Sequence, residues 1–122
     1  MLKNEKGFTL IEIIAVLVIL GILAAVAIPK YISMMDESRI SAAQGAIAEV
    51  KSRCSGYYAD QLMQGLTPSA ANVLTSVGTP NLGNDFTVAT GSSGSDITIT
   101  VSVVKGVTLT SNVIGAWFYP TT

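Results

Sequence analysis

Few residues in this chain could do chemistry, and one of them stands in an improbable place. Glu12 is the only charge in the 21 residues from Phe8 to Ile28, FTLIEIIAVLVILGILAAVAI. A carboxylate within such a stretch costs on the order of several kcal/mol if it lies deep in a membrane and less near an interface, and such groups usually have a function and a partner. The rest of the inventory is thin. There is no His, and Cys54 is the sole Cys. A zinc site of Cys and His within one chain is thereby excluded, as are Cys–His and Ser–His catalytic pairs and an intrachain disulfide. Cys54 reads either as a reactive or intermolecular thiol or as a small buried hydrophobe on a helix face, and the second is the commoner fate of a lone cysteine. Asp85 and Asp96, separated by a loop, could approach one another, but a calcium site needs more oxygen ligands than these two supply. No metal, no cofactor and no enzymatic activity are expected. Seven basic and eight acidic side chains leave a formal charge of -1, which gives nucleic acid no electrostatic foothold.

The element that must hold Glu12 is a helix. At about 1.5 Å per residue, Phe8 to Ile28 is long enough to cross an apolar bilayer core of about 30 Å. Lys3 and Lys6 precede it, so the N-terminal flank is expected to stay cytoplasmic while the rest crosses. Ala24, Ala25 and Ala27 imitate a signal-peptidase site, but the apolar run is longer than a usual signal core and begins with an acid in place. A buried core helix is a poor alternative, because the remaining chain is too small to cover it. A plain single-span anchor, with Glu12 reaching back to the membrane surface, is the simplest rival. Pro29 removes a helical N–H and crowds the carbonyl of Ala25, so with Gly21 it predicts a kink or local melting.

Gly7-Phe8-Thr9-Leu10-Ile11-Glu12, preceded by a basic leader and followed by an apolar span, resembles the prepilin processing and assembly motif of type IV pilins and type II secretion pseudopilins. Pro29 sits where that family commonly carries a helix proline. The match covers residues 1 to about 31, a quarter of the chain. The resemblance implies a leader, residues 1–7, removed by a prepilin peptidase between Gly7 and Phe8, with N-methylation of Phe8. It implies that Glu12 guides each subunit into a helical homopolymer built by the pilus assembly machinery. The precursor would sit in the inner membrane and the product in a pilus on the cell surface.

Beyond the span, 32–64 reads as the amphipathic half of the same helix. Ile40, Ala43, Ile47, Val50, Cys54 and Tyr57 follow three-four spacing, with Asp36, Glu37, Arg39, Glu49, Lys51 and Arg53 off that stripe. One helix from Phe8 to about Gln64 would be roughly 85 Å long, which suits a filament subunit. Gly65 ends it. Thr67-Pro68 reads as a cap and first turn for a short helix over 69–77. Strands are expected over 86–90, 97–103, 107–110 and 114–119, with turns at 91–95 and Gly106. Ile97, Ile99, Val101 and Val103 alternate with polar residues and mark one buried face. Trp117, Phe118 and Tyr119 are expected to fill the core. Tyr57 fits the buried stripe, and Tyr58 is free to reach an interface.

The fold class is therefore α+β: a long N-terminal helix packed against a small antiparallel sheet in a head spanning 65–122, as in type IV pilins. Many pilins close a C-terminal loop with a disulfide, which one Cys cannot form. Two functions compete with the structural subunit of a type IV pilus. A pseudopilin of a type II secretion system shares the N-terminal motif, but major pseudopilins tend to carry an acidic C-terminal calcium loop, and no Asp or Glu follows Asp96. A membrane-anchored binding module, with the head as its ligand site, is the other.

Overall fold

A computed structural model of the chain describes residues 7–120. The expected leader, apart from Gly7, lies outside them. The chain divides into two units, Met1–Asp36 and Glu37–Thr122. Five elements follow in order: α1 (Leu10–Met63), α2 (Ala70–Val77), β1 (Phe86–Ser93), β2 (Asp96–Val104) and β3 (Val107–Trp117).

In the first unit α1 buries nothing. Every described side chain from Gly7 to Asp36 is exposed, and the apolar part of the helix is long enough to cross a membrane by length and composition. The helical assignment continues through Gly21 and Pro29 without a melted turn.

In the second unit α1 presents Ala43, Ala46, Ile47, Val50 and Cys54 to a core completed by Val73, Val88, Ile97, Ile99, Val101, Val104 and Trp117. Each Val or Ile fully buried there stabilises the head by about 1.5–3 kcal/mol relative to exposure. The core face differs from the expected stripe at both ends. Ile40 is exposed, and so is Tyr57, whereas Ala46 is buried and Tyr58 half-buried. At 3.6 residues per turn positions 57 and 58 flank the face of 43, 47, 50 and 54 about equally, and the contacts of Tyr58 with Trp117 and Tyr119 decide which ring is drawn in. Cys54 is fully buried, and burial pushes its thiol pKa up, which keeps it protonated and unreactive.

α1 ends on paired reverse hydrogen bonds. Leu66 N donates to Gln61 O and Gly65 N to Leu62 O, each at 3.0 Å, with Gly65 at φ 73°. This is the left-handed C-terminal motif that glycine accommodates without a Cβ clash. Ser69, not Thr67, caps α2: its Oγ accepts from Asn72 N at 3.1 Å. Serine has the acceptor that the first turn needs.

The sheet has three antiparallel strands in the order β1-β2-β3. β1 reaches Ser93, beyond the expected end at Thr90, because Gly91, Ser92 and Ser93 find partners in Thr98, Ile97 and Asp96. The turn narrows to Gly94-Ser95. The 107–110 and 114–119 segments are one strand, β3, ending at Trp117. Its register against β2 is broken: Val101 faces Val113 and Val103 faces Thr108. On the other side Thr87 pairs with Val103 and Val88 with Val101, which leaves Ser102 as an extra residue. Such a bulge shifts side-chain facing by one position. Val104 therefore enters the core, while Val103, expected inside, is only half-buried.

Trp117 is buried and Tyr119 half-buried, but Phe118 is exposed. Alternation along an extended chain sends the middle residue outward, so Phe118 does not fill the core as expected. Tyr58, Trp117 and Tyr119 form a triangle of rings with centroids 5.6–6.2 Å apart. Three hydrogen bonds secure the end of the chain: Trp117 Nε1 to Ser55 Oγ at 3.0 Å, Tyr119 Oη to the Pro68 carbonyl at 2.6 Å, and Tyr119 N to Asp96 Oδ1 at 3.3 Å. Asp85 and Asp96 lie at opposite ends of β1 and do not meet. The Asp85 carbonyl accepts instead from Lys105 N.

Candidate processing and assembly site

The residues of interest crowd the first turn of α1. Leu10 is its first helical residue, and Thr9 precedes it as the cap. Thr9 N donates to Glu12 Oε2 at 2.8 Å, and Glu12 N donates to Thr9 Oγ1 at 3.4 Å. Ile13 N donates to the Thr9 carbonyl at 3.3 Å. This is a reciprocal capping box, in which two N-terminal amides with no helical partner are satisfied by side chains. The Glu12 carboxylate also faces the positive end of the helix dipole. Glu12 is thus held back toward the N-terminus by local geometry.

Thr9 joins the candidate site as the capping partner of Glu12, and Thr-x-x-Glu ahead of an apolar run is the sequence signal for it. Phe8 is 86 % exposed, one residue outside the cap. Gly7 is exposed, and a Cβ built on it would meet nothing within 4 Å; its φ does not lie in the left-handed region. Among the described residues neither space nor a left-handed backbone requires glycine at position 7. Gly7, Phe8, Thr9 and Glu12 are thus brought together at one helix end. Gly21 and Pro29 are further along α1 and do not join them.

Among the described residues no group of three or more His, Cys, Asp or Glu could hold a metal ion. The site offers one carboxylate, one hydroxyl and an exposed peptide bond ahead of an apolar helix. That set supports recognition and charge pairing.

Comparison with known proteins agrees. Residues 2–28 match the family model described as the prokaryotic N-terminal methylation motif. The chain is 37% identical over 111 residues to fimbrial protein EcpC of Eikenella corrodens, covering 88% of this chain and 72% of that protein. It is 38% identical over 88 residues to type IV major fimbrial protein FimA of Dichelobacter nodosus, covering 68% of this chain and 54% of that one. It is 35% identical over 79 residues to type II secretion system core protein G of Pseudomonas aeruginosa, covering 65% and 56%. The chain thus spans little more than half the length of the last two. No solved structure matches. A helix with a methylation motif at its start and an α+β head defines a pilin-like subunit, and the chain belongs to the type IV pilin and pseudopilin family.

Proposed function

We propose that this chain is the structural subunit of a type IV pilus, made as a membrane-held precursor. A prepilin peptidase cuts between Gly7 and Phe8 and methylates the new amine, and the assembly machinery stacks the mature chain into a helical homopolymer at the cell surface. The carrying observation is the capping box, which fixes the Glu12 carboxylate one helical turn from Phe8, beside the exposed Gly7–Phe8 bond.

Cleavage creates a charged α-amine on Phe8. In a dry core of packed helices both this amine and Glu12 are costly unless paired. Glu12 can exchange its bond to Thr9 N for the Phe8 amine, its own or that of the subunit alongside. Pairing between subunits also selects one axial stagger, as buried polar contacts do in coiled coils. Gly21 and Pro29 weaken the middle of the apolar helix, and we assign the bending or melting that packing requires to that stretch. The pseudopilin reading rests on the similarity to core protein G, which covers less of this chain than the similarity to EcpC.

Glu12→Ala tests the assignment. Membrane insertion and cleavage should persist, while sheared filament yield falls at least tenfold. Glu12→Gln keeps shape and removes charge, and should fall with it. Normal filament yield from both variants, beside normal amounts of processed protein in the membrane, removes the charge-register mechanism.

A further inference from the structure

Where the end of α1, the connection after Gly65 and α2 meet, the head carries a groove of about 460 Å³. Gln61, Leu66, Thr67, Asn72, Thr75 and Ser76 line it. None of them is charged. Gln61 Oε1 is sealed from solvent and has no hydrogen-bond partner. Buried polar atoms are nearly always paired, so an orphaned acceptor calls for an explanation.

The other lining groups are partly committed, in a consistent sense. Thr75 Oγ1 donates to the Ala71 carbonyl at 2.8 Å and Ser76 Oγ to the Asn72 carbonyl at 2.9 Å. With their protons used, both hydroxyl oxygens remain as acceptors. The side-chain amides of Gln61 and Asn72 supply donors. Leu66 is 56% exposed and adds an apolar wall.

We propose that this groove binds a neutral, hydroxyl-rich ring, that is, a pyranose sugar. An ionic ligand would find no countercharge among the lining residues, and a purely apolar one would strip water from the exposed amides and hydroxyl oxygens without replacing its hydrogen bonds. A sugar gives hydroxyl donors to the acceptors and hydroxyl oxygens to the amides, and lays its C–H face on Leu66. The terminal torsion of Gln61 is soft, so a small rotation turns Oε1 toward a ligand hydroxyl and supplies the partner it lacks.

The test is saturation-transfer NMR on the full, unpolymerised chain in a detergent without a sugar headgroup. The probes are methyl glucoside, methyl galactoside and N-acetylglucosamine at millimolar concentration, with glucuronate as the charged comparison. At least one neutral sugar should show transfer to its ring protons. Gln61→Leu and Thr75→Val should each weaken it at least tenfold while the melting temperature of the head is kept, and Thr110→Val, outside the groove, should leave it unchanged. The proposal is overturned by no transfer to any neutral sugar, by transfer that survives both groove substitutions, or by a preference for glucuronate. It is also overturned if the two substitutions alter filament yield while no sugar binds, since the groove would then be a contact between copies. Because binding is read before polymerisation, failure here is distinct from failure of the pilin assignment.

Discussion

The part of α1 before Asp36 and the part after Glu37 are built from the same backbone and satisfy opposite requirements. The first is apolar on every side and has its whole surface exposed. Among the described residues its hydrophobic side chains are all exposed, which is the surface a bilayer or a second copy would cover. The second is apolar on one face only, and the sheet covers that face. One unit is incomplete by composition, and the other closes on itself. The polar detail differs in the same way. At the start of α1 a single capping box holds Glu12 on the surface. In the head, Tyr119 and Trp117 anchor to the Pro68 carbonyl and to Ser55 at the partly buried edge of the core.

The sharpest way to break this contrast is to place the same charge on each half. Val50→Asp puts an unpaired carboxylate into the core and should destabilise the head by on the order of several kcal/mol. Val18→Asp should leave the melting of the head unchanged and impair membrane retention. A fragment beginning at Tyr31 reports the first effect by thermal melting, and should fold because the sheet needs only the amphipathic half of α1. An unchanged melt for Val50→Asp would mean that the helix face has been misassigned.

A smaller change probes how closely helix and strand approach. A Cβ built on Gly115 would collide with Ile47 Cγ2. Gly115→Ala should therefore cost about 1–3 kcal/mol, as overpacking does, and Ile47→Ala in the same chain should recover part of the loss. Additive losses in a double-mutant cycle would show that the two residues do not meet.

The smallest effect concerns the end of the chain. Tyr119→Phe removes the hydroxyl bonded to the Pro68 carbonyl and should cost about 1 kcal/mol, read as a fall of a few degrees in the melting temperature of the head. With no second cysteine, the aromatic triangle and this bond stand in for a covalent closure. An unaltered melt would assign that role to ring packing alone.

How much of this was legible in the sequence follows from the range of each interaction. The long helix and its end at Gly65 are local patterns of period and propensity, and they stand as read. The alternation from Ile97 to Val101 also survives. It fails at Val103, because Ser102 is an extra residue only once β2 is paired with β1. Gly91 to Ser93 look like turn residues and become strand once β2 supplies partners. Tyr57 and Tyr58 were exchanged because a one-residue step decides the helix face, and only Trp117 and Tyr119 reveal which ring is needed. At the candidate site the cleavage roles of Gly7 and Phe8 come from the family resemblance, and the oddity of Glu12 is legible as a lone charge in an apolar run. The part played by Thr9 is local too, since its partner is only three residues away, but it shows as a capping pattern and not as a charge.

The central claim is that Gly7 and Phe8 flank a cut that turns an anchored chain into a filament subunit. Intact-mass spectrometry of filaments sheared from the cell surface tests it most directly. Removal of Lys3, Glu5 and Lys6 from seven basic and eight acidic side chains would leave five and seven. The account predicts a subunit that begins at Phe8 and is heavier by one methyl group on its N-terminal amine. A filament subunit that retains Met1, or one that begins at any residue other than Phe8, would contradict it.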